Sequence, residues 1–393
     1  MRNQKAIVFF GDVYPFGLIR HMCWCAVESY KICPADVDYY FASVPEDPQG
    51  GAWDLIRSVI PEERILVEKD WDSLMTRVVG LAEKYETVLV HGGGGWGYTK
   101  HYLKAKWKLP RKVAAHLRFL GTTHSYQHDN FRRIPMSIFQ CILYLLFYDK
   151  VIFQCKNAAE RFVGASLLFH FGKGAIVPLG VEEKPPQSKH VPEVLAGVLN
   201  DETLFKMVYL AGFRPGKKHV WLVKNLAPVL KAHPKVRLLL CGEGEKRLME
   251  KVRAVIQREG LEGQVLMPGQ VPRDEVPMVL GKVQCAVVPS RAETFGHNFL
   301  EPMFFGLPVI GTRCGIGKEL IRDGETGFSF SLWRPKELRR AVEMCLADRA
   351  LVKRMGENAR RAVATTYRHS DVVKKLMDVY LGMIEAHNKK RAI

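Results

Sequence analysis

The segment 285–312 constrains the fold of this chain more than any other part of the sequence. It begins with a largely apolar run, Cys285–Ser290, which is typical of a buried strand in a parallel sheet. A polar loop, a helical pattern and a second apolar run at Val309–Thr312 follow. A strand, a helix and a strand in this order predict an α/β protein with a parallel sheet.

The helix of this segment has recognisable ends. We predict that it begins near Asn298 or Phe299, with Asn298 as its N-cap, because asparagine accepts hydrogen bonds from the first helical N–H groups. Pro302 is predicted in the first turn, where a missing N–H costs little. Gly306 is predicted to end the helix. The N-terminus of the helix therefore lies near the carboxyl end of the preceding strand.

Two carboxylates, Glu293 and Glu301, flank this helix N-terminus. Open α/β sheets bind ligands at the carboxyl ends of their strands. Carboxylates accept hydrogen bonds from sugar hydroxyls, and the unpaired N–H groups of a helix start attract a phosphate. The two features together predict a site for a nucleotide or a nucleotide sugar.

The two glutamates, with seven residues between them, resemble the acidic signature of retaining glycosyltransferases of family 4, which have the GT-B fold. The flanks Pro289–Gly296 and Gly306–Ile310 match as well. The resemblance is specific over residues 208–330 and looser over residues 5–181. It implies two Rossmann-like parallel-sheet domains with a cleft between them and a C-terminal helix that crosses back to the first domain.

The resemblance also implies an activity. The chain would be a retaining hexosyltransferase that moves a sugar from a nucleoside-diphosphate sugar to a glycan or lipid-linked acceptor. No metal or other cofactor would be required, because cations of the protein would carry the charge of the diphosphate. The alternatives are another GT-B enzyme, namely a nucleotide-sugar epimerase or a phosphorylase, or a non-catalytic basic protein that binds a membrane or nucleic acid.

At 393 residues the chain is too long for one ordinary hydrophobic core. We predict an acceptor-side Rossmann-like domain, a polar, proline-containing linker, a nucleotide-sugar-binding domain, and a C-terminal helix that packs back on the first domain. Their bounds are 1–182, 183–203, 204–365 and 366–393.

In the second domain, Gly212, Arg214 and Lys218 follow a predicted strand. An arginine offers two parallel donors to a phosphate, and a lysine offers a point charge. The resemblance implies that Gly212 and Lys218 bind the donor. Arg214 lies one position later than the arginine of the family, and Lys217 could share its work.

The resemblance implies further donor contacts around the two glutamates. Glu293 would hold hydroxyls of the transferred sugar, together with Thr294, Phe295 and Gly296. Glu301 would hold the ribose. The catalytic group would comprise Glu293, Lys218, Arg214 and His124.

The first domain is expected to add donor contacts. The resemblance implies that Gly17 faces the diphosphate and that His124, with His128 as the second choice, contacts the donor sugar or phosphate. The glycine-rich run at 92–95 is predicted to be a loop, which either lines the acceptor side of the cleft or is a flexible connection without contact to ligand.

Two Asp-x-Asp triplets are the only metal-type motifs that need to be weighed, and neither favours a metal site. Asp36 and Asp38 begin a predicted strand, and Asp70 and Asp72 begin a predicted helix, where aspartate is a common cap.

The chain has a formal net charge of +17, which indicates an anionic partner. Between residues 98 and 133 there are nine lysines and arginines and a single aspartate, interleaved with aromatic residues. This pattern favours an anionic membrane surface, and nucleic acid is disfavoured because no motif that reads base sequence is present.

Nine scattered cysteines and the lack of a signal-peptide pattern indicate a cytoplasmic protein, peripheral at the inner face of the membrane. The longest apolar run, Ile134–Phe147, suits a buried helix.

Overall fold

The computed structural model describes residues 5–10, 18–44, 51–93, 96–122, 134–181 and 193–391. The chain folds as two compact units. Unit 1 comprises residues 1–180 and 369–393, and unit 2 comprises residues 181–368.

Unit 1 alternates strands and helices along the chain, as the sequence predicts. Its strands are β1 (Lys5–Phe10), β2 (Val37–Ser43), β3 (Ile65–Val67), β4 (Thr87–Gly93), β5 (Leu117–Thr122), β6 (Lys150–Phe153) and β7 (Gly174–Ile176). Its helices up to residue 170 are α1 (Leu18–Ile32), α2 (Gly51–Arg57), α3 (Trp71–Gly80), α4 (Trp96–Lys106), α5 (Arg111–Ala114), α6 (Ile134–Phe147), α7 (Lys156–Glu160) and α8 (Ala165–His170).

The strands of unit 1 form a parallel sheet in the order β3-β2-β1-β4-β5-β6-β7. Strands β1 and β4 are neighbours although two strands and three α-helices separate them in the chain, so the order of the strands reverses between them. The sequence analysis predicted a loop over the whole glycine-rich run 92–95, whereas Gly92 and Gly93 pair with the last two residues of β5. The first half of the glycine-rich run is therefore strand, because a neighbouring strand supplies its hydrogen bonds.

The last helix, α17 (His369–Arg391), belongs to unit 1. It packs against α1 and β4 through an apolar face that includes the buried Val373 and Leu376. The hydroxyl of Tyr380 lies 2.5 Å from Nδ1 of His91 on β4, inside the same interface. The chain therefore returns to its first sheet at its end, as the resemblance implies.

Helix α6 has the predicted bounds but is not buried all round. Ser137 and Tyr144 are fully buried, whereas Ile138, Ile142 and Leu146 are exposed. The expectation of a buried helix is thus wrong for one of its faces. Within the described ranges, no helix is both long and apolar enough to span a membrane.

Unit 2 contains six described strands and eight described helices. The strands are β8 (Phe205–Leu210), β9 (Val236–Cys241), β10 (Val265–Gly269), β11 (Cys285–Val288), β12 (Val309–Thr312) and β13 (Gly327–Phe330). The helices are α9 (Glu193–Asn200), α10 (His219–Ala232), α11 (Lys246–Arg258), α12 (Val276–Leu280), α13 (His297–Phe304), α14 (Gly317–Leu320), α15 (Pro335–Ala347) and α16 (Arg349–Ala364). The sheet is parallel, in the order β10-β9-β8-β11-β12-β13.

Helix α9 lies inside the stretch 183–203 that the sequence analysis assigned to a linker. Leu195 and Leu199 of this helix are buried in unit 2, so apolar burial stabilises a helix there. The predicted linker is therefore too long at its carboxyl end. Mixed polar residues around two prolines concealed the helical spacing of these leucines.

Candidate functional site

The predicted site residues of unit 2 lie at the carboxyl edge of its sheet, around the neighbouring strands β8 and β11. Two elements that are distant in sequence meet here, because the strand order reverses between β8 and β11. This is the place where open α/β sheets bind ligands. The loop 211–218 follows β8, and the loop 289–296 follows β11.

Hydrogen bonds join these two loops. The backbone N–H of Arg291 donates to the carbonyl of Gly216 over 2.8 Å. The buried hydroxyl of Tyr209 donates to the carbonyl of Lys217 over 3.0 Å and lies 3.0 Å from Oγ of Ser290. The loop after β8 is therefore fixed relative to the loop that carries the first glutamate.

Glu293 is held in place by two side chains. Lys217 Nζ donates to Oε1 of Glu293 over 2.5 Å, and Asn298 Nδ2 donates to the same oxygen over 3.0 Å. The Glu293 side chain is only 10% exposed, so its charge depends on these donors. The partner of Glu293 is thus Lys217, the residue that the sequence analysis named as able to share the work of Arg214.

The start of α13 differs from the prediction. The helix begins at His297 and its N-cap is Gly296, with φ +105°, a backbone conformation that glycine adopts readily. A Cβ at Gly296 would lie 2.8 Å from the ring of Phe299. Asn298 is therefore the second residue of the helix and not its cap, and its Nδ2 donates to Glu293. Pro302 falls in the second turn rather than the first.

The loop after β12 supports the Glu293 loop from a third strand. The N–H of Ile316 donates to the carbonyl of Phe295 over 2.6 Å. Gly315 has φ +54°, and a Cβ there would lie 2.7 Å from Cβ of Glu293. The sequence analysis did not identify Gly315, although its position just after a predicted strand was the available signal.

Glu301 lies inside α13 and forms an ion pair with Arg273, whose Nη1 donates to Oε1 of Glu301. The Glu301 side chain is 11% exposed and that of Arg273 is 45% exposed. Arg273 lies in the loop after β10, so a fourth strand contributes to the site. The sequence analysis missed Arg273. The only available signal was a cation shortly after a strand at the ligand edge of the sheet.

Lys218 has an uncommon backbone conformation. Its φ is +59°, and no other described residue besides glycine has a positive φ. Such conformations in side-chain-bearing residues concentrate at functional sites. Lys218 precedes α10, whose N-terminus follows the cluster of Arg214, Lys217 and Lys218. At Gly212 the loop runs close to the backbone of Glu243. A Cβ added at this position would lie 3.1 Å from the Glu243 carbonyl oxygen.

The first residue of α10, His219, is buried and stacks on Phe213, with ring centroids 4.1 Å apart. Burial lowers the pKa of His219 to about 4. The imidazole is therefore neutral at pH 7. It supports the cationic loop without adding to its charge.

His219 should make stability depend on pH. Between pH 6.5 and 4 the unfolded chain binds a proton that the folded chain does not, so this contribution to stability is lost as the pH falls. The expected loss is about 3 kcal/mol by pH 4. Urea unfolding at a series of pH values should show a shallower dependence in His219→Asn. The exposed His233→Asn should keep the dependence of the unaltered protein, and equal slopes in all three proteins would contradict this account.

The structure places the predicted site residues of unit 2 together. Phe295 is buried and Thr294 is partly exposed, both in the loop that also carries Glu293. Two predicted residues of the first domain, Gly17 and His124, lie outside the described residues, as does His128. Their predicted roles therefore stay predictions.

Both Asp-x-Asp triplets are engaged by the protein. Asp36 and Asp38 form ion pairs with Lys5 and Arg64, respectively. Asp70 caps α3 by accepting from the N–H of Ser73, and Asp72 contacts two basic residues of α4. Over the described part of the chain, no three His, Cys, Asp or Glu side chains are grouped so that they could hold a metal ion.

Comparison with known proteins finds a family model that matches most of unit 2. Residues 193–362 match the family model described as glycosyl transferases group 1. The chain is 27% identical over 178 residues to N-acetyl-alpha-D-glucosaminyl L-malate synthase of Bacillus anthracis, covering 45% of each chain. It is 26% identical over 174 residues to alpha-D-kanosaminyltransferase of Streptomyces kanamyceticus, covering 44% of this chain and 45% of the relative. The chain thus matches less than half the length of these curated relatives.

A solved structure resembles almost the whole chain. The structure of Anabaena HepE in complex with UDP and glucose aligns with a TM-score of 0.73 and 17% identity, covering 96% of this chain and 100% of HepE. At this identity the likeness bears on the fold alone. The chain has the GT-B fold, with two Rossmann-like domains that each carry a parallel sheet.

Proposed function

We propose that the chain is a retaining glycosyltransferase that uses a nucleoside-diphosphate sugar, a proposal supported by the match of residues 193–362 to the model of group 1 glycosyl transferases. The observation that carries the proposal is the pair Glu293 and Glu301, held by Lys217 and Arg273 at the carboxyl edge of the second sheet. The acceptor in this proposal is a glycan or a lipid-linked molecule. The proposal places the enzyme in the cytoplasm, peripheral to the membrane.

Each glutamate has a distinct role in this proposal. The Glu301 carboxylate holds the ribose hydroxyls. These hydroxyls compete with Arg273 for the same carboxylate. Glu293 holds hydroxyls of the transferred sugar. Because Lys217 and Asn298 both engage Oε1 of Glu293, its Oε2 receives the sugar hydroxyl. Because the Glu293 carboxylate is already fixed as a hydrogen-bond acceptor, it needs no reorganisation when the sugar binds.

The cations before α10 stabilise the leaving group. Breaking the bond between the anomeric carbon and the phosphate oxygen leaves negative charge on the diphosphate. Arg214, Lys217 and Lys218 supply positive charge next to a helix N-terminus, which also favours an anion. The acceptor oxygen forms the new bond on the face that the diphosphate leaves, and the leaving phosphate oxygen takes its proton. No metal ion takes part in this mechanism.

Ligand-dependent unfolding tests the donor class. UDP, GDP and ADP are added singly, first in EDTA and then in a parallel series with Mn²⁺ in place of EDTA, and the thermal midpoint is followed. One of the three should raise the midpoint, because a ligand at a hundred times its Kd stabilises the folded state by about 2.7 kcal/mol. A shift that requires added Mn²⁺ would contradict the metal-independent mechanism. The lack of a shift with all three nucleotides would contradict the proposed function.

An anionic membrane surface is the proposed partner of the basic segment 98–133. Lys100, Lys108, Arg111 and Lys112 are exposed, which supports contact with an extended anionic surface. Exposed cations near such a surface each contribute about 1 kcal/mol to binding.

A further inference from the structure

Helix α6 has an exposed face that is apolar, although a helix that faces water normally exposes polar residues. Its inner positions include Ser137 and Gln140, which are buried. Its outer positions are apolar, with exposures from 46% to 67%: Ile138, Phe139, Ile142 and Leu146. The outer face of α6 is therefore suited to an apolar medium.

The four outward residues form one continuous stripe. On a helix of 3.6 residues per turn they fall within an arc of about 100°. The whole of α6 contains no charged residue. Helices α4 and α8 both pack against α6, and further exposed apolar residues lie on or just after them. Trp107, just after α4, is 76% exposed, and Leu167 and Phe171 at α8 are exposed as well.

The length of α6 decides how it can meet a membrane. Its 14 residues extend about 21 Å, which is less than the roughly 30 Å of a hydrocarbon core. A short helix with one apolar face lies in the plane of the interface instead of crossing it. Exposed tryptophans such as Trp107 are also typical of the headgroup level.

The charge next to the stripe favours one occupant. From Thr99 to Thr122 the chain contains seven lysines and arginines and no acidic residue. A second copy docked on this face by twofold symmetry would bring these like charges close together. Anionic lipid headgroups would neutralise them, while the acyl region would cover the apolar stripe.

We propose that the outer face of α6 inserts into the interfacial region of an anionic bilayer, with Trp107 beside it and the basic residues of α4 and the following turn on the lipid phosphates. This inference goes beyond the proposed sugar transfer, because it assigns a binding surface to unit 1 that is independent of the donor. It also extends the contact of residues 98–133 from charge alone to insertion.

Vesicle co-sedimentation of the full chain tests the inference. The vesicles are phosphatidylcholine alone, or an equimolar mixture with phosphatidylglycerol. The unaltered protein should sediment with the anionic vesicles and only weakly with the neutral ones. Ile142→Ser with Leu146→Ser should weaken the partition at least about tenfold, because each buried aliphatic side chain contributes on the order of a tenfold factor. Trp333→Ser with Val194→Ser is the matched control, since both are exposed apolar residues of unit 2.

Charge variants separate insertion from simple attraction. Lys100→Glu with Lys108→Glu should weaken binding strongly at low salt, whereas Lys353→Glu with Arg354→Glu in unit 2 should not. Sedimentation of the Ile142 and Leu146 variant equal to that of the unaltered protein would overturn the proposal. The proposal would also be overturned if analytical ultracentrifugation showed that the unaltered protein is a dimer and that the Ile142 and Leu146 variant is a monomer. The apolar face would then bind a second copy of the chain. Nucleotide binding should be unchanged in every variant, so a failed membrane test is distinct from a failed sugar-transfer proposal.

Discussion

Replacing Glu293 by alanine is expected to lower the rate of sugar transfer by at least about a hundredfold, the effect of losing one preorganised polar contact to a transition state. The carboxylate is almost buried and fixed by Lys217 and Asn298, so no other group can take its position. The loss should appear in kcat as well as in kcat/KM, because the contact to the sugar strengthens as the anomeric bond breaks.

Stability should change little in Glu293→Ala. Lys217 keeps 24% of its side chain exposed and can turn its ammonium toward water when its partner is removed. Glu325→Ala is the matched control, because Glu325 is an exposed carboxylate of the same unit that pairs with Arg322. Steady-state transfer assays check the prediction. A rate for Glu293→Ala within a factor of about three of the control would remove Glu293 from the mechanism.

Replacing Glu301 by alanine is expected to weaken binding of the nucleoside diphosphate by roughly 1.5–3 kcal/mol, which is the value of hydrogen bonds to a charged group. This corresponds to an increase in Kd of about 10- to 150-fold. Arg273 is 45% exposed, so it can be solvated when its partner is lost, and the fold should persist. Calorimetric titration with the stabilising nucleotide measures the effect.

Arg273→Ala distinguishes two accounts of this ion pair. If Glu301 binds the ribose, the Arg273 variant should keep the nucleotide affinity within a few-fold, since the carboxylate remains. If the pair only stabilises the loop after β10, both variants should lose the same affinity. An unchanged Kd in Glu301→Ala would show that this carboxylate does not hold the ribose.

The sequence predicted the parts of the site that depend on local pattern. The run from Cys285 to Thr312 contains a strand, a helix and a strand as expected, and Gly306 follows the end of α13. These features are predictable because apolar periodicity and glycine conformation act within a few residues. The two glutamates were identifiable for the same reason, since their spacing is a property of one short segment.

The partners of the glutamates could not be predicted in this way. Arg273 reaches Glu301 from another strand, and Asn298 serves Glu293 instead of capping the helix. The contact of Arg273 depends on how distant segments pack, and that of Asn298 depends on the path of the short loop that precedes α13. Local pattern encodes neither. The orientation of α6 was missed for a related reason. An all-apolar run predicts burial, but it does not say whether protein or another apolar medium covers each face.

The most direct test of sugar transfer is the anomeric configuration of its product. The full chain is incubated in EDTA with a panel of glycan acceptors and with nucleotide sugars that contain the nucleoside diphosphate found to stabilise the protein. Proton NMR follows the new glycosidic linkage from the first turnover. The account predicts a glycoside with the same anomeric configuration as the donor, formed without metal and reduced at least about a hundredfold in Glu293→Ala. A product of inverted configuration, or release of a free epimer without transfer to any acceptor, would contradict it.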